Sequence, residues 1–217
     1  MRKAIFVSLS LALLLVLVTG CNNPPVELAG IKRVAVMSMD SAWHQPMLGR
    51  AIKYELLASI PRRFAIEVID GAALEAEFQG VNLETVLARP EAAAELGRRY
   101  GVDGFVVGTV TAYEELRDGR LGVIHEWTEE DRAHLGMRIN LGVQLAFNTR
   151  LVRADDGSSL FYRQASGFAS RSITLDPKRP FLSMLNLFEP HFAELRDQAV
   201  RRAVHDLIWD LVREYGR

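Results

Sequence analysis

Between Arg138 and Leu151 the chain alternates. Ile139, Leu141, Val143, Leu145, Phe147 and Leu151 are apolar, while Arg138, Asn140, Gln144, Asn148 and Arg150 are polar. Successive side chains of a strand point to opposite faces, so a period of two means one dry face and one wet face. A helix, with its period of 3.6, cannot bury that pattern. Asp155-Asp156-Gly157-Ser158 then turns the chain, and residues 160–170 return as the partner strand. This segment commits the chain to an antiparallel sheet with one covered face.

The other elements arrange themselves around that hairpin. Residues 31–39 (IKRVAVMSM) and 65–69 read as the first two strands, and 102–112 (VDGFVVGTVTA) as a third, central one. Pro46 opens a helix in which Met47, Ala51, Tyr54 and Leu57 or Ala58 recur at helical spacing until Ile60-Pro61 ends it. A short helical stretch covers 72–78, Asn82 caps another turn, and Pro90 starts a helix through Tyr100 that Gly101 closes with a left-handed cap. Asp118-Gly119 reads as a hairpin turn, followed by a charged loop over 126–132. Phe188, Phe192, Leu195, Ala199, Ala203, Leu207, Leu211 and Tyr215 form one stripe of a long closing amphipathic helix. The predicted fold is mixed α/β (α+β), a central mixed sheet with helices on one or both faces.

The amino-terminal residues determine location. Arg2 and Lys3 precede an uncharged run over 4–18, which ends in Val18-Thr19-Gly20-Cys21. A positive front, a short apolar run and a small-residue exit match a cleavable export signal better than a permanent span. The last four residues resemble the lipobox of bacterial lipoproteins. The resemblance implies a signal peptide over 1–20, a diacylglycerol and an N-acyl chain on Cys21, and a lipid bilayer as its partner. Residues 21–30, with Asn22-Asn23-Pro24-Pro25, would be a stiff polar tether, and 31–217 a single periplasmic domain. Asn22 beside the cysteine resembles cargo of the Gram-negative outer membrane.

Taking the first twenty of 217 residues away leaves 197, enough for one domain with a sizeable core. Cys21 is the only cysteine, so no intramolecular disulfide supports that core. Removing Arg2 and Lys3 takes the formal charge from −1 to −3, too mild for a nucleic-acid partner, and no basic stripe with interleaved aromatics appears. With 24% charged residues and a mean hydropathy of +0.05, the chain reads as a folded domain.

Chemistry-bearing motifs are few. His125-Glu126 is followed by Trp127-Thr128-Glu129, so the spacing that places two imidazoles on one helical face fails. A loop metal on His125, Glu130 and His134 is the alternative to a solvated loop. His205 reads as a boundary residue of the last helix. No serine sits in G-x-S-x-G, and adjacent Asp155 and Asp156 point apart, which suits a turn. No catalytic residue, metal or cofactor is expected. Gly101 permits φ > 0, and Gly104 and Gly108 allow backbone and helix to approach the strand.

Four segments resemble the TolB amino-terminal domain and the CsgG-like and LpoB-like outer-membrane lipoproteins. They are Ile31-Lys32-Arg33-Val34-Ala35-Val36, residues 96–110 (LGRRYGVDGFVVGTV), residues 151–157 (LVRADDG) and the closing helix. The resemblance implies a TolB-like sheet and a non-enzymatic role in binding or assembly, with another envelope protein as partner; it leaves an oligomer open. The alternatives are a CsgG-type secretion-channel subunit and an envelope-associated hydrolase. In the channel family a related position carries a membrane-inserting hairpin, whose legs need about 9–11 residues with apolar alternation. Here 114–137, which includes Trp127, reads as a polar insertion, and Glu114, Glu115, Arg117, Asp118 and Arg120 interrupt any such band.

A second segment is crowded with apolar residues: Phe181, Leu182, Met184, Leu185, Leu187 and Phe188. Over 177–190 it is either a lid beneath the last helix or a partner-docking patch formed by Phe181, Leu182, Met184 and Leu185, with Trp127 as a further contact. Leu185→Asp separates the two. A lid variant loses thermal stability, whereas a patch variant keeps it and loses its partner.

Overall fold

The computed structural model describes residues 25–28, 30–41, 46–79, 81–125, 133–175 and 188–215, with backbone alone at 120–125, 133–137 and 174–175. Six strands form one mixed sheet. β1 (Arg33–Val36) pairs in parallel with β3 (Glu67–Asp70) on one side and with β4 (Gly104–His125) on the other. The short β2 (Asp40–Ser41) continues along β4 at Thr109 and Val110. β4, β5 (Ala133–Arg153) and β6 (Ser159–Leu175) follow as an antiparallel meander, so the order is β3-β1-β4-β5-β6.

The helices are α1 (Pro46–Ser59), α2 (Ala72–Glu77), α3 (Leu83–Leu87), α4 (Pro90–Tyr100) and α5 (Phe188–Tyr215). They cover both faces of the parallel part. Val34 and Val36 join α1 and α5 in the larger core, while Ala35 and Met37 join α2, α3 and α4 in a smaller one. That division explains why residues 34–37 are apolar in succession and not alternating. On β5 the alternating residues Ile139, Leu141, Val143, Leu145, Phe147 and Leu151 are all buried in the larger core. Thr149 shares their face, and its hydroxyl donates to the Val107 carbonyl at 3.3 Å. The stripe of α5 is buried from Phe192 to Leu211, as its spacing predicts.

Capping follows the sequence closely. Asn82 accepts from the Thr85 amide at 3.3 Å, Pro90 starts α4, and Gly101 closes it at φ 63°. Gly108 does permit a close approach, but to the Asn148 carbonyl of β5 and the Met39 sulfur, not to a helix.

Two expectations fail. Asp118 and Gly119 do not turn the chain. They lie inside β4, paired with Asn140 and Ile139, and the insertion expected over 114–137 is instead strand as far as His125 and again from Ala133. Cross-strand pairing has overridden local turn propensity. The α1 stripe is also one residue out of phase. Leu48, Ile52 and Leu56 are buried, whereas Met47 and Tyr54 are 68% and 61% exposed. Both sets have helical spacing, and the aliphatic set wins the core.

β6 is an edge strand, and α5 guards it. Arg202 donates to the Phe168 carbonyl at 2.6 Å, and the Tyr215 hydroxyl donates to the Leu160 carbonyl at 3.1 Å. Carbonyls occupied in this way are poor templates for a foreign strand.

Candidate functional site

Cys21, Trp127, Phe181, Leu182, Met184 and Leu185 lie outside the described residues. Their flanks do not. β4 runs to His125 and β5 starts at Ala133, and Trp127 falls in the sequence between them. β6 ends at Leu175, opposite Met137 on β5, and the chain is next described at Phe188, where α5 begins. The segments holding Trp127 and Phe181 therefore spring from the same end of one three-stranded arm. His125 and His134 belong to its strands and not to a loop.

The base of that arm is tied to α5 by charged and aromatic groups. The Tyr113 hydroxyl donates to Glu115 Oε1 at 2.6 Å, and Arg196 Nε donates to the same hydroxyl at 3.1 Å. Arg196 Nη2 lies 3.5 Å from Glu115 and 3.6 Å from Glu189. Burial pushes the Tyr113 hydroxyl up to about 12, aided by its hydrogen bond to Glu115. The Arg117 guanidinium lies 4.8 Å from the Phe192 ring centre and 5.7 Å from that of Phe188. In the same row of the sheet as Arg117, Arg171 makes two hydrogen bonds to Glu194, at 2.6 and 2.7 Å. The bond from Arg171 holds the Glu194 carboxyl below its ordinary value. These pairs suit a clamp that fixes the arm against α5.

A second cluster lies beyond the carboxyl end of β1, beside residues 107–109 of β4, on the side of the sheet covered by α2 and α3. A cleft of about 610 Å³ is lined there by Ser38, Asp40, Glu75, Asn82, Gly108 and Thr109, among others. The strand order reverses at this point, which is where open α/β sheets place ligands. Beside it the buried Lys53 ammonium lies 2.5 Å from Asp70 Oδ1 and 3.1 Å from both Glu75 oxygens. The Ser38 amide also donates to Glu75. Each charge has its partner, so the cluster pins α1, β1, β3 and α2 together. Sequence reading missed it. The available signal was a lysine directly after Ile52 on the side of α1 that carries Leu48 and Leu56.

Trp209 and His205 lie at the opposite end of α5 from the arm. The indole N–H donates to His205 Nε2 at 2.8 Å, and the Arg63 guanidinium lies 5.0 Å from the indole centre. His205 is exposed, as its boundary position predicts.

No protein-family model matches the chain, and no curated protein matches its sequence. Among solved structures it is similar to lipoprotein GNA1162 from Neisseria meningitidis, at 15% identity and TM-score 0.40, covering 75% of this chain and 96% of that one. It is also similar to rare lipoprotein B from Shewanella oneidensis, at 14% identity and TM-score 0.44, covering 84% and 98%. For the LpoB C-terminal domain from Salmonella enterica the figures are 8% identity, TM-score 0.34, and 69% and 88%. At such identities and scores no function follows from these neighbours.

Proposed function

We propose that this chain is a non-enzymatic, lipid-anchored binding or assembly module of the bacterial envelope, held at the periplasmic face of the outer membrane through acylated Cys21. The observation that carries the reading is the placement of its two ends. Val26 is bonded beside Arg63 and Ala65, at the start of β3, so the tether meets the sheet at the amino ends of its parallel strands. The arm of β4, β5 and β6 leaves from the other end. From Val110 to His125 it extends on the order of 50 Å at about 3.4 Å per residue. A module fixed at one end and reaching from the other suits the capture of an envelope protein, with its effective concentration raised by the surface.

Two measurements test this. Cys21→Ser should move the protein from the membrane to the soluble fraction. Photo-crosslinkers at Trp127 and Leu185 should capture the same envelope protein, and capture of none from either position would sink the reading.

The long arm also favours a second reading, a channel subunit. Against it, Glu114, Arg117 and Asp118 are exposed along one leg, where a lipid-facing strand needs an apolar band. Light scattering of the detergent-extracted protein decides between them: a ring of many subunits restores the channel, and a monomer or dimer retains the module.

A further inference from the structure

We infer that the tether end of the domain docks on anionic lipid headgroups through Arg62, Arg63 and Trp209. The inference rests on acylation of Cys21 and adds a surface to the proposed anchor. Val26 lies five residue steps beyond Cys21, and at 3.3–3.6 Å each they span at most about 18 Å. Val26 is fixed in place: its amide donates to the Arg63 carbonyl at 2.8 Å, and its carbonyl accepts from the Ala65 amide at 2.9 Å. An acylated Cys21 therefore holds Arg63 close to the headgroup layer, where a negative surface potential acts over about a Debye length, ~8 Å at physiological salt.

The side chains at this end suit that surface. Trp209 is 41% exposed, although an indole in water leaves a large apolar area unburied. A half-apolar ring with a polar edge is the kind of group that settles at a membrane interface. The Arg63 guanidinium is stacked near it, and neither Arg63 nor the exposed Arg62 has a carboxylate partner among the described residues. Of the neighbouring acids on α5, Asp210 lies 3.8 Å from Arg213 and Glu214 pairs with Arg163, while Asp206 lies 3.6 Å from His205, whose Nε2 accepts from Trp209 and which therefore brings no charge. Glu27 is the exposed acid on the tether side. The two unpaired guanidiniums beside Val26 supply the positive charge.

The test uses the full lipidated protein carrying Trp43→Phe and Trp127→Phe, which leaves Trp209 as the sole tryptophan. It is reconstituted into phosphatidylcholine vesicles with and without phosphatidylglycerol, with bromine on the lipid chains as the quencher. Trp209 emission is expected to be quenched more strongly with phosphatidylglycerol, and less at high salt. Arg62→Ala and Arg63→Ala should each lower the docked-to-free ratio about fivefold. Quenching that ignores both phosphatidylglycerol and the arginines overturns the inference. If Arg63→Ala unfolds, Arg62→Glu at the exposed position gives the same reading. Mass spectrometry of the same sample separates the two proposals. Acylated protein with unquenched Trp209 removes the docking face alone, whereas missing acyl chains remove the anchor and the docking face with it.

Discussion

Gly167 on β6 and Ala199 on α5 meet backbone to backbone. A methyl group at Gly167 would overlap the Ala199 carbonyl oxygen and come within 3.0 Å of the Ala203 side chain. The closing helix lies on the sheet at this spacing because two small residues face each other. Gly167→Ala should therefore lift α5 from β6 and destabilise the fold by about 1–3 kcal/mol, the usual cost of overpacking. Urea unfolding measures it, and an unchanged midpoint would show that the contact relaxes without cost.

Lys53→Met leaves the Asp70 and Glu75 carboxylates without their common cation. Removing one partner of a buried pair costs about 3–5 kcal/mol. Asp70 is 45% exposed, so water recovers part of the loss and the lower end is expected. Combining Lys53→Met with Asp70→Asn and Glu75→Gln should restore most of the stability. A triple variant as weak as the single one would refute the charge explanation.

The same pair sets an acid limit. Partial burial pushes the Asp70 carboxyl up, but hydrogen bonds from Lys53 and the Ala72 amide, with the Lys53 charge, bring it below the ordinary 3.8. A group whose folded value is depressed contributes stability above its unfolded value and loses it as pH falls through the folded one. Melting temperature should thus fall as pH drops below about 4, and Asp70→Asn should flatten that limb. An identical acid limb in the variant would assign the loss to other carboxylates.

Tyr113 gives the opposite sign. Its hydroxyl is raised to about 12, so its contribution is complete below the ordinary 10.0 and disappears as pH rises from there through about 12. Ultraviolet titration should show a late phenolate step that Tyr113→Phe removes. If that variant leaves the latest step in place, the clamp between the arm and α5 is weaker than its geometry indicates.

Much of this protein is decided locally. The alternation from Ile139 to Leu151, the proline and glycine that bound α4, the Asn82 cap and the stripe of α5 each use interactions within a few residues. Neighbour spacing encodes them directly, and the resemblance of residues 18–21 to a lipobox is likewise linear. The remainder depends on partners distant in the chain. Asp118-Gly119 has turn chemistry, yet pairing with Asn140 and Ile139 keeps it extended. Tyr54 and Met47 have core spacing on α1, yet the sheet accepts Leu48, Ile52 and Leu56. Lys53 is buried only because Asp70 and Glu75 arrive from the next strand and helix. The common origin of the segments carrying Trp127 and Phe181, and the placement of Arg63 beside Val26 and Trp209, follow from strand order. Strand order is a matter of register and topology, which the energies of adjacent residues do not encode.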